Sequence, residues 1–223
     1  MPSPQLALDL ALEPDYRPES FCVSDANATA LASLHRWPRW RQGHLLLTGP
    51  KGSGKTHMTR IWTQRADPIE LESASITANL KQIGRGACVL VEDIDQALDE
   101  DGLFHLINRA SGDAGVSLLI TASGAVDEWG LGLDDLVSRL RAAETATLSE
   151  PDDALLRQVM EKLFRDRRTP LSEGVIEYLL TRMDRSIDFA RMLTAWLDRE
   201  ALARKGPVTR PLAREALSAL SGT

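Results

Sequence analysis

Apolar and polar positions along the chain follow two regimes. Between residues 43 and 148, short apolar runs alternate with stretches of helical period, and beyond Pro151 only the helical period remains. The runs are Gly43-His44-Leu45-Leu46-Leu47-Thr48, Ile69-Glu70-Leu71, Cys88-Val89-Leu90-Val91, the stretch 116–121, and Glu144-Thr145-Ala146-Thr147-Leu148. Unbroken runs of this length suit strands of a parallel sheet covered on both faces. The segments 57–62, 76–83, 103–109 and 133–140 predict the intervening helices, and a helix over 26–34 precedes the first strand and stops before Trp37-Pro38. The alternation predicts an α/β fold built on a five-stranded parallel sheet with flanking helices.

Helices over 152–165, 172–182, 186–203 and 209–220 predict a small all-helical second domain. Asp152, Ser172 and Thr209 stand at N-cap positions, and Lys205-Gly206-Pro207 stops the third helix. The predicted organisation is an extended, proline-rich segment over 1–20, an α/β domain over 21–150 and a helical domain over 151–223.

Composition narrows the class. A chain of 223 residues, 43% hydrophobic and 26% charged, can bury a core of ordinary size. No apolar run approaches the roughly 20 residues that cross a bilayer, and the start lacks a basic-then-apolar signal layout, so a cytoplasmic protein without membrane association is expected. Cys22 and Cys88 have no metal-ligand spacing and are expected as buried small hydrophobes. The net charge of −6 argues against coating DNA by charge alone, although residues 151–223 hold 13 Lys and Arg against 11 Asp and Glu. The interleaved stretch His35-Arg36-Trp37-Pro38-Arg39-Trp40-Arg41 admits two readings, a single-strand nucleic-acid surface or tryptophans packed on the core.

The strongest chemical signal is Gly49-Pro50-Lys51-Gly52-Ser53-Gly54-Lys55-Thr56, which matches the phosphate-binding loop at every fixed position. Glycines let successive N–H groups point at phosphates, and the following helix presents its positive end to the same anion. Lys55 is expected at the β and γ phosphates and Thr56 on Mg²⁺, with ATP or ADP as the ligand. Glu92 and Asp93, at the carboxyl end of a buried strand, suit the metal and base roles. Ser123, at the end of the next strand, either senses the γ phosphate or caps the segment after it. Near the start, Gln5-Leu6-Ala7-Leu8-Asp9-Leu10 puts Leu6, Leu8 and Leu10 on one side of an extended peptide. That row suits insertion into a hydrophobic groove, while an edge strand or the start of an amphipathic helix would look the same.

Taken together, the phosphate loop, Val89-Leu90-Val91-Glu92-Asp93-Ile94-Asp95, Ile120-Thr121-Ala122-Ser123, Leu136-Val137-Ser138-Arg139-Leu140 and the helices after Pro151 resemble the AAA+ ATPases of the DnaA family. Within them the resemblance is to the short Hda-type regulators, and it spans nearly the whole chain. It implies a P-loop AAA+ sheet domain with a helical lid. It further implies that Gln5, Leu6, Leu8 and Leu10 dock on the DNA polymerase III beta sliding clamp. Phe21 and the Asp25-Ala26-Asn27 turn would lie over the adenine, and Arg139 would be an arginine finger supplied in trans to ATP-bound DnaA. The function so implied is stimulation of hydrolysis on DnaA, which inhibits re-initiation of replication.

Two departures qualify the resemblance. Glu92 stands where the family has aspartate, which implies that the chain's own ATPase is weak. Asp188 stands where the lid's sensor arginine is expected, with Arg185 and Arg191 one turn to either side and Arg191 the nearer substitute. DnaA continues into a DNA-reading domain, so with the sequence ending at Thr223 no sequence-specific DNA binding is expected. Alternatives are a helicase-loader-like ATPase of the DnaC type and a recruitment factor that binds DnaA without triggering hydrolysis. The sequence leaves the resting nucleotide and a homodimer open.

Overall fold

The computed structural model describes residues 16–220, which form two compact units divided in the chain between Glu150 and Pro151. The expected groove-binding peptide, Gln5 to Leu10, lies outside the described residues.

In the first unit, β1 (His44–Thr48), β2 (Ile69–Leu71), β3 (Cys88–Val91), β4 (Ser117–Ala122) and β5 (Glu144–Thr147) form one parallel sheet in the order β2-β3-β4-β1-β5. Leu46 pairs with Ile120 on one side and Thr145 on the other, which puts β1 inside the sheet. Successive strand side chains point to opposite faces, so the same runs feed two cores. Leu45, Leu47, Leu90 and Leu119 pack with α1 (Ala28–His35) and α2 (Lys55–Ala66). Leu46, Val89, Val91, Leu118 and Ile120 pack on the other face with α3 (Ile76–Asn79), α4 (Glu100–Ser111) and α5 (Asp134–Ala142).

Local chemistry shifts some expected boundaries. The helix expected over 76–83 breaks after Asn79 into a 3-10 turn, Leu80–Gln82. There the Arg109 guanidinium donates to the carbonyls of Leu80 at 2.8 Å and Ile83 at 2.7 Å. The first helix starts at Ala28 because Ser24 to Asn27 form a turn closed by the Asn27 side chain, which accepts from Ser24 N–H at 3.0 Å and donates to Cys22 C=O at 2.9 Å. Both cysteines are free and half-buried, not buried as expected, since Cys22 lies in the irregular segment before α1 and Cys88 opens β3. The tryptophans of the 35–41 stretch turn inward. Trp40 is buried, donates to Ser33 C=O at 3.0 Å and meets Trp62 of α2 at 5.4 Å, while Trp37 meets the same ring edge-on at 6.2 Å.

From Pro151 onward the second unit comprises α6 (Asp153–Asp166), α7 (Glu173–Leu180), α8 (Ile187–Ala203) and α9 (Arg210–Leu220). Here α6 packs on α7 and α8, and α9 on α7 and α8, around Leu156, Met160, Leu179, Leu193, Leu197 and Ala213. Asp152 caps α6 through Leu155 N–H at 2.7 Å, and Thr209 caps α9 through Leu212 N–H at 3.4 Å. Ser172 makes no such bond, whereas Ser186 caps α8 through Phe189 N–H at 3.2 Å. Among the described residues, no helix is long and apolar enough to cross a membrane.

Candidate nucleotide site

At the end of β1 the chain turns through Gly49 to Gly54 and enters α2 at Lys55. The turn is close-packed. A Cβ on Gly49 would come within 2.8 Å of the Leu148 carbonyl oxygen and 2.9 Å of Ser53 Oγ, so no other residue fits there. Gly52 at φ 73° takes a left-handed conformation that side chains resist. The N–H groups that open the twelve-residue α2 have no partner within the helix and face the loop. Lys55 is only 7% exposed. Its Nζ donates to Gly49 C=O at 2.7 Å, Pro50 C=O at 3.2 Å and Ser123 Oγ at 3.2 Å, which joins the loop to the end of β4. Lys51 and Thr56 lie exposed at the mouth.

The acidic end of β3 divides into three roles. Asp93 is exposed and holds φ 49°, a left-handed conformation that costs a non-glycine residue about 1–2 kcal/mol. Buried Thr121 holds it there, its Oγ1 accepting from Asp93 N–H at 2.9 Å and its carbonyl accepting from Ile94 N–H at 2.9 Å. Asp95 accepts at Oδ2 from the N–H groups of Ser123 at 3.0 Å and Gly124 at 3.3 Å, so it positions the hydroxyl that meets Lys55. Glu92 instead turns to α2. Its Oε1 accepts from Thr59 Oγ1 at 2.9 Å, and its Oε2 lies 3.7 Å from the Arg60 guanidinium. Burial pushes the Glu92 carboxyl above its usual range and outweighs the opposing pull of Thr59 and Arg60.

The loop therefore fits the phosphates of a nucleotide, with Gly49 to Thr56 as the cradle. Thr56 and Asp93 offer surface oxygens to a hard cation, and Glu92 is engaged elsewhere. Among the described residues no three His, Cys, Asp or Glu side chains gather around one point, so a cation at this loop would draw most of its ligands from phosphate and water.

The other expected site residues make contacts within their own units. Phe21 packs edge-on against His57, the residue after Thr56, at 5.1 Å, with Tyr16 on the same ring at 5.4 Å. Asn27 is buried and uses both ends of its amide to close its own turn. Arg139 on α5 pairs with Asp135 at 2.9 Å, and its guanidinium lies 5.8 Å from the Phe104 ring centre. In the helical unit Arg191 is half-buried and lies 3.7 Å from Asp188, while Arg185 is bound to Pro151 C=O and Asp153. Thr59, Asp95 and Thr121 carry much of the arrangement and are the residues that sequence reasoning left unassigned. For Thr59 and Thr121 the signal is faint, a polar side chain beside apolar neighbours, whereas Asp95 stands in the acidic run after β3.

A glycine-rich turn from an interior strand into a helix, a strand ending in carboxylates two places along the sheet and the order β2-β3-β4-β1-β5 define an AAA+ P-loop α/β fold. The structure is similar to domain III of the replication initiation protein DnaA of Thermotoga maritima, at 20% sequence identity over 92% of this chain and 97% of that one, with a TM-score of 0.76. It is also similar to a replication initiator DnaA bound to AMPPCP and single-stranded DNA, at 19% identity over 87% of this chain and 69% of that one, TM-score 0.67. The Thermotoga maritima RuvB Holliday junction branch migration motor matches at 16% identity over 80% of this chain and 62% of that one, TM-score 0.64. No protein-family model matches the chain. At such identities the likeness establishes the fold.

Proposed function

We propose that this chain is a nucleotide-bound AAA+ regulator of the Hda type, which binds the replicative sliding clamp and stimulates hydrolysis of ATP held by DnaA. The observation that carries the reading is the close-packed loop with buried Lys55 tied to Ser123, beside a DnaA-like fold that matches domain III over nearly its full length. ADP or ATP would lie with its phosphates on Gly49 to Thr56. Mg²⁺, when bound, would neutralise phosphate charge and take oxygens from Thr56 and Asp93.

In this reading the chain's own residues do three things. The loop N–H groups and Lys55 hold the phosphates, Asp95 fixes Ser123 beside the Lys55 ammonium, and Arg139 supplies positive charge to the phosphoryl group bound by a neighbouring DnaA. Gln5, Leu6, Leu8 and Leu10 anchor the chain to the clamp and so raise its concentration near DNA-bound DnaA. Hydrolysis in the chain's own loop stays slow.

The test measures the fraction of DnaA-bound nucleotide remaining as ATP on clamp-loaded DNA, with and without this protein. Faster loss of ATP is expected. An unchanged ATP fraction over many times the intrinsic half-life overturns the reading.

A further inference from the structure

Two residues of α2 hold the carboxylate that would otherwise serve the cation. Thr59 and Arg60 lie one helical turn beyond Thr56 and therefore share its face. Thr59 is fully buried, so its hydroxyl has no water to turn to. Its Oγ1 lies 2.9 Å from both Thr56 C=O and Glu92 Oε1. Arg60 completes the arrangement, with one guanidinium nitrogen 3.7 Å from Glu92 Oε2 and the other donating to Glu70 Oε1 of β2 at 2.6 Å. Glu70 pairs in register with Leu90, two residues before Glu92. The Thr59 hydroxyl and the Arg60 guanidinium thus tie α2 to the end of β3 at Glu92, and Arg60 also ties it to β2 at Glu70.

We propose that Thr59 and Arg60 are positioning residues that keep the Glu92 carboxylate on α2, so that nucleotide is held largely by the loop and Lys55 and gains little from Mg²⁺. The proposal rests on the nucleotide reading above and deepens it, because it specifies how the same site is kept slow. Thr59 engages Oε1 at 2.9 Å and Arg60 lies 3.7 Å from Oε2, so both carboxylate oxygens are turned to α2. The exposed side of Arg60 makes the ion pair the weaker restraint and Thr59 the stronger one.

The test titrates fluorescent ADP and ATP onto the full chain in Mg²⁺ and in EDTA, with melting temperatures to confirm folding. In the wild type and in Glu92→Gln, removing Mg²⁺ is expected to weaken binding by no more than about threefold. In the double variant Thr59→Val, Arg60→Gln the released carboxylate is expected to raise that dependence to about tenfold or more, and Thr59→Ser restores wild-type behaviour. A wild-type dependence above about threefold that Glu92→Gln abolishes overturns the proposal, as does a folded double variant with unchanged dependence. Should the double variant fail to fold, the Glu92→Gln comparison decides alone. Lys55→Ala separates the two levels: nucleotide binding that is absent, or insensitive to Lys55→Ala, sinks the nucleotide reading and the proposal together. Binding lost in Lys55→Ala but governed by Glu92 and Mg²⁺ sinks only the proposal.

Discussion

Asp99 shows how one carboxylate can organise a face of the sheet domain. Its Oδ1 accepts from Gly102 N–H at 3.0 Å and Thr77 Oγ1 at 2.9 Å, and its Oδ2 from Thr77 N–H at 2.6 Å, so it caps α4 and pins α3 to it. Gly102 completes the junction, since a Cβ there would fall 2.6 Å from Ile76 Cβ. Burial pushes the Asp99 carboxyl up, but the bonds from Thr77 and Gly102 outweigh it and hold it below the usual aspartate range. A folded value below the unfolded one means that the stabilisation is complete above about pH 4 and is lost as pH falls through the folded value. Asp99→Asn replaces one of the two accepting oxygens by an NH₂ group and is therefore expected to cost about 1 kcal/mol near neutral pH. Urea midpoints at neutral pH and in acid check this, with the gap between wild type and variant narrowing in acid. Equal gaps at both would mean that charge at Asp99 contributes nothing.

Among the elements, α5 is the one whose surface the proposed function uses. Leu136 and Leu140 bury one face in the core, which leaves Arg139 half-exposed on the other, paired with Asp135 four residues earlier. An exposed pair at this spacing is worth only about 0.3–0.5 kcal/mol, whereas an arginine finger contributes a factor of roughly 10³ to 10⁵ in rate. The ion pair is thus far too weak to keep Arg139 from a neighbouring phosphoryl group. Asp135→Ala is expected to change stimulation of DnaA hydrolysis by less than about twofold, while Arg139→Ala loses it by about 10³ or more. Arg139→Lys should not rescue, because a point charge replaces the planar fork. Single-turnover hydrolysis on DnaA measures all three, and full stimulation by Arg139→Ala would leave the chain a recruiter only.

At the scale of the whole molecule, the stretch just beyond the leucine row leads directly to the nucleotide helix. Tyr16 and Phe21 pack on His57, and Gln64 donates to Tyr16 C=O at 3.3 Å, so residues 16–21 are fixed to α2. The segment expected to be extended through Ser20 is packed from Tyr16 on, because His57 offers it an aromatic edge. A peptide just upstream of such an anchor can dock on another protein without disturbing the sheet. Changing Gln5, Leu6 and Leu8 together to alanine is expected to abolish clamp pulldown while leaving the melting temperature unchanged, since truncating central anchors typically costs about 2 kcal/mol or more each. Undiminished pulldown would remove the clamp from the proposed function.

By itself the sequence determined the five strands, their parallel pairing, the change to helices after Pro151 and the phosphate loop, because apolar period and glycine spacing are local properties. It could not reveal that Glu92 turns to Thr59 and Arg60, that Asp95 rather than a nearer residue fixes Ser123, or that Asn27 spends its amide on its own turn. Those pairings join residues as far as 33 positions apart, and each depends on which face of α2 or which end of β4 meets the acidic strand. For the tryptophans at 37 and 40 the sequence favours packing over nucleic acid, but not the partner, which is Trp62 lying beneath them. Composition and spacing specify which groups are present, whereas the sheet order and the burial of α2 decide which of them share a hydrogen bond.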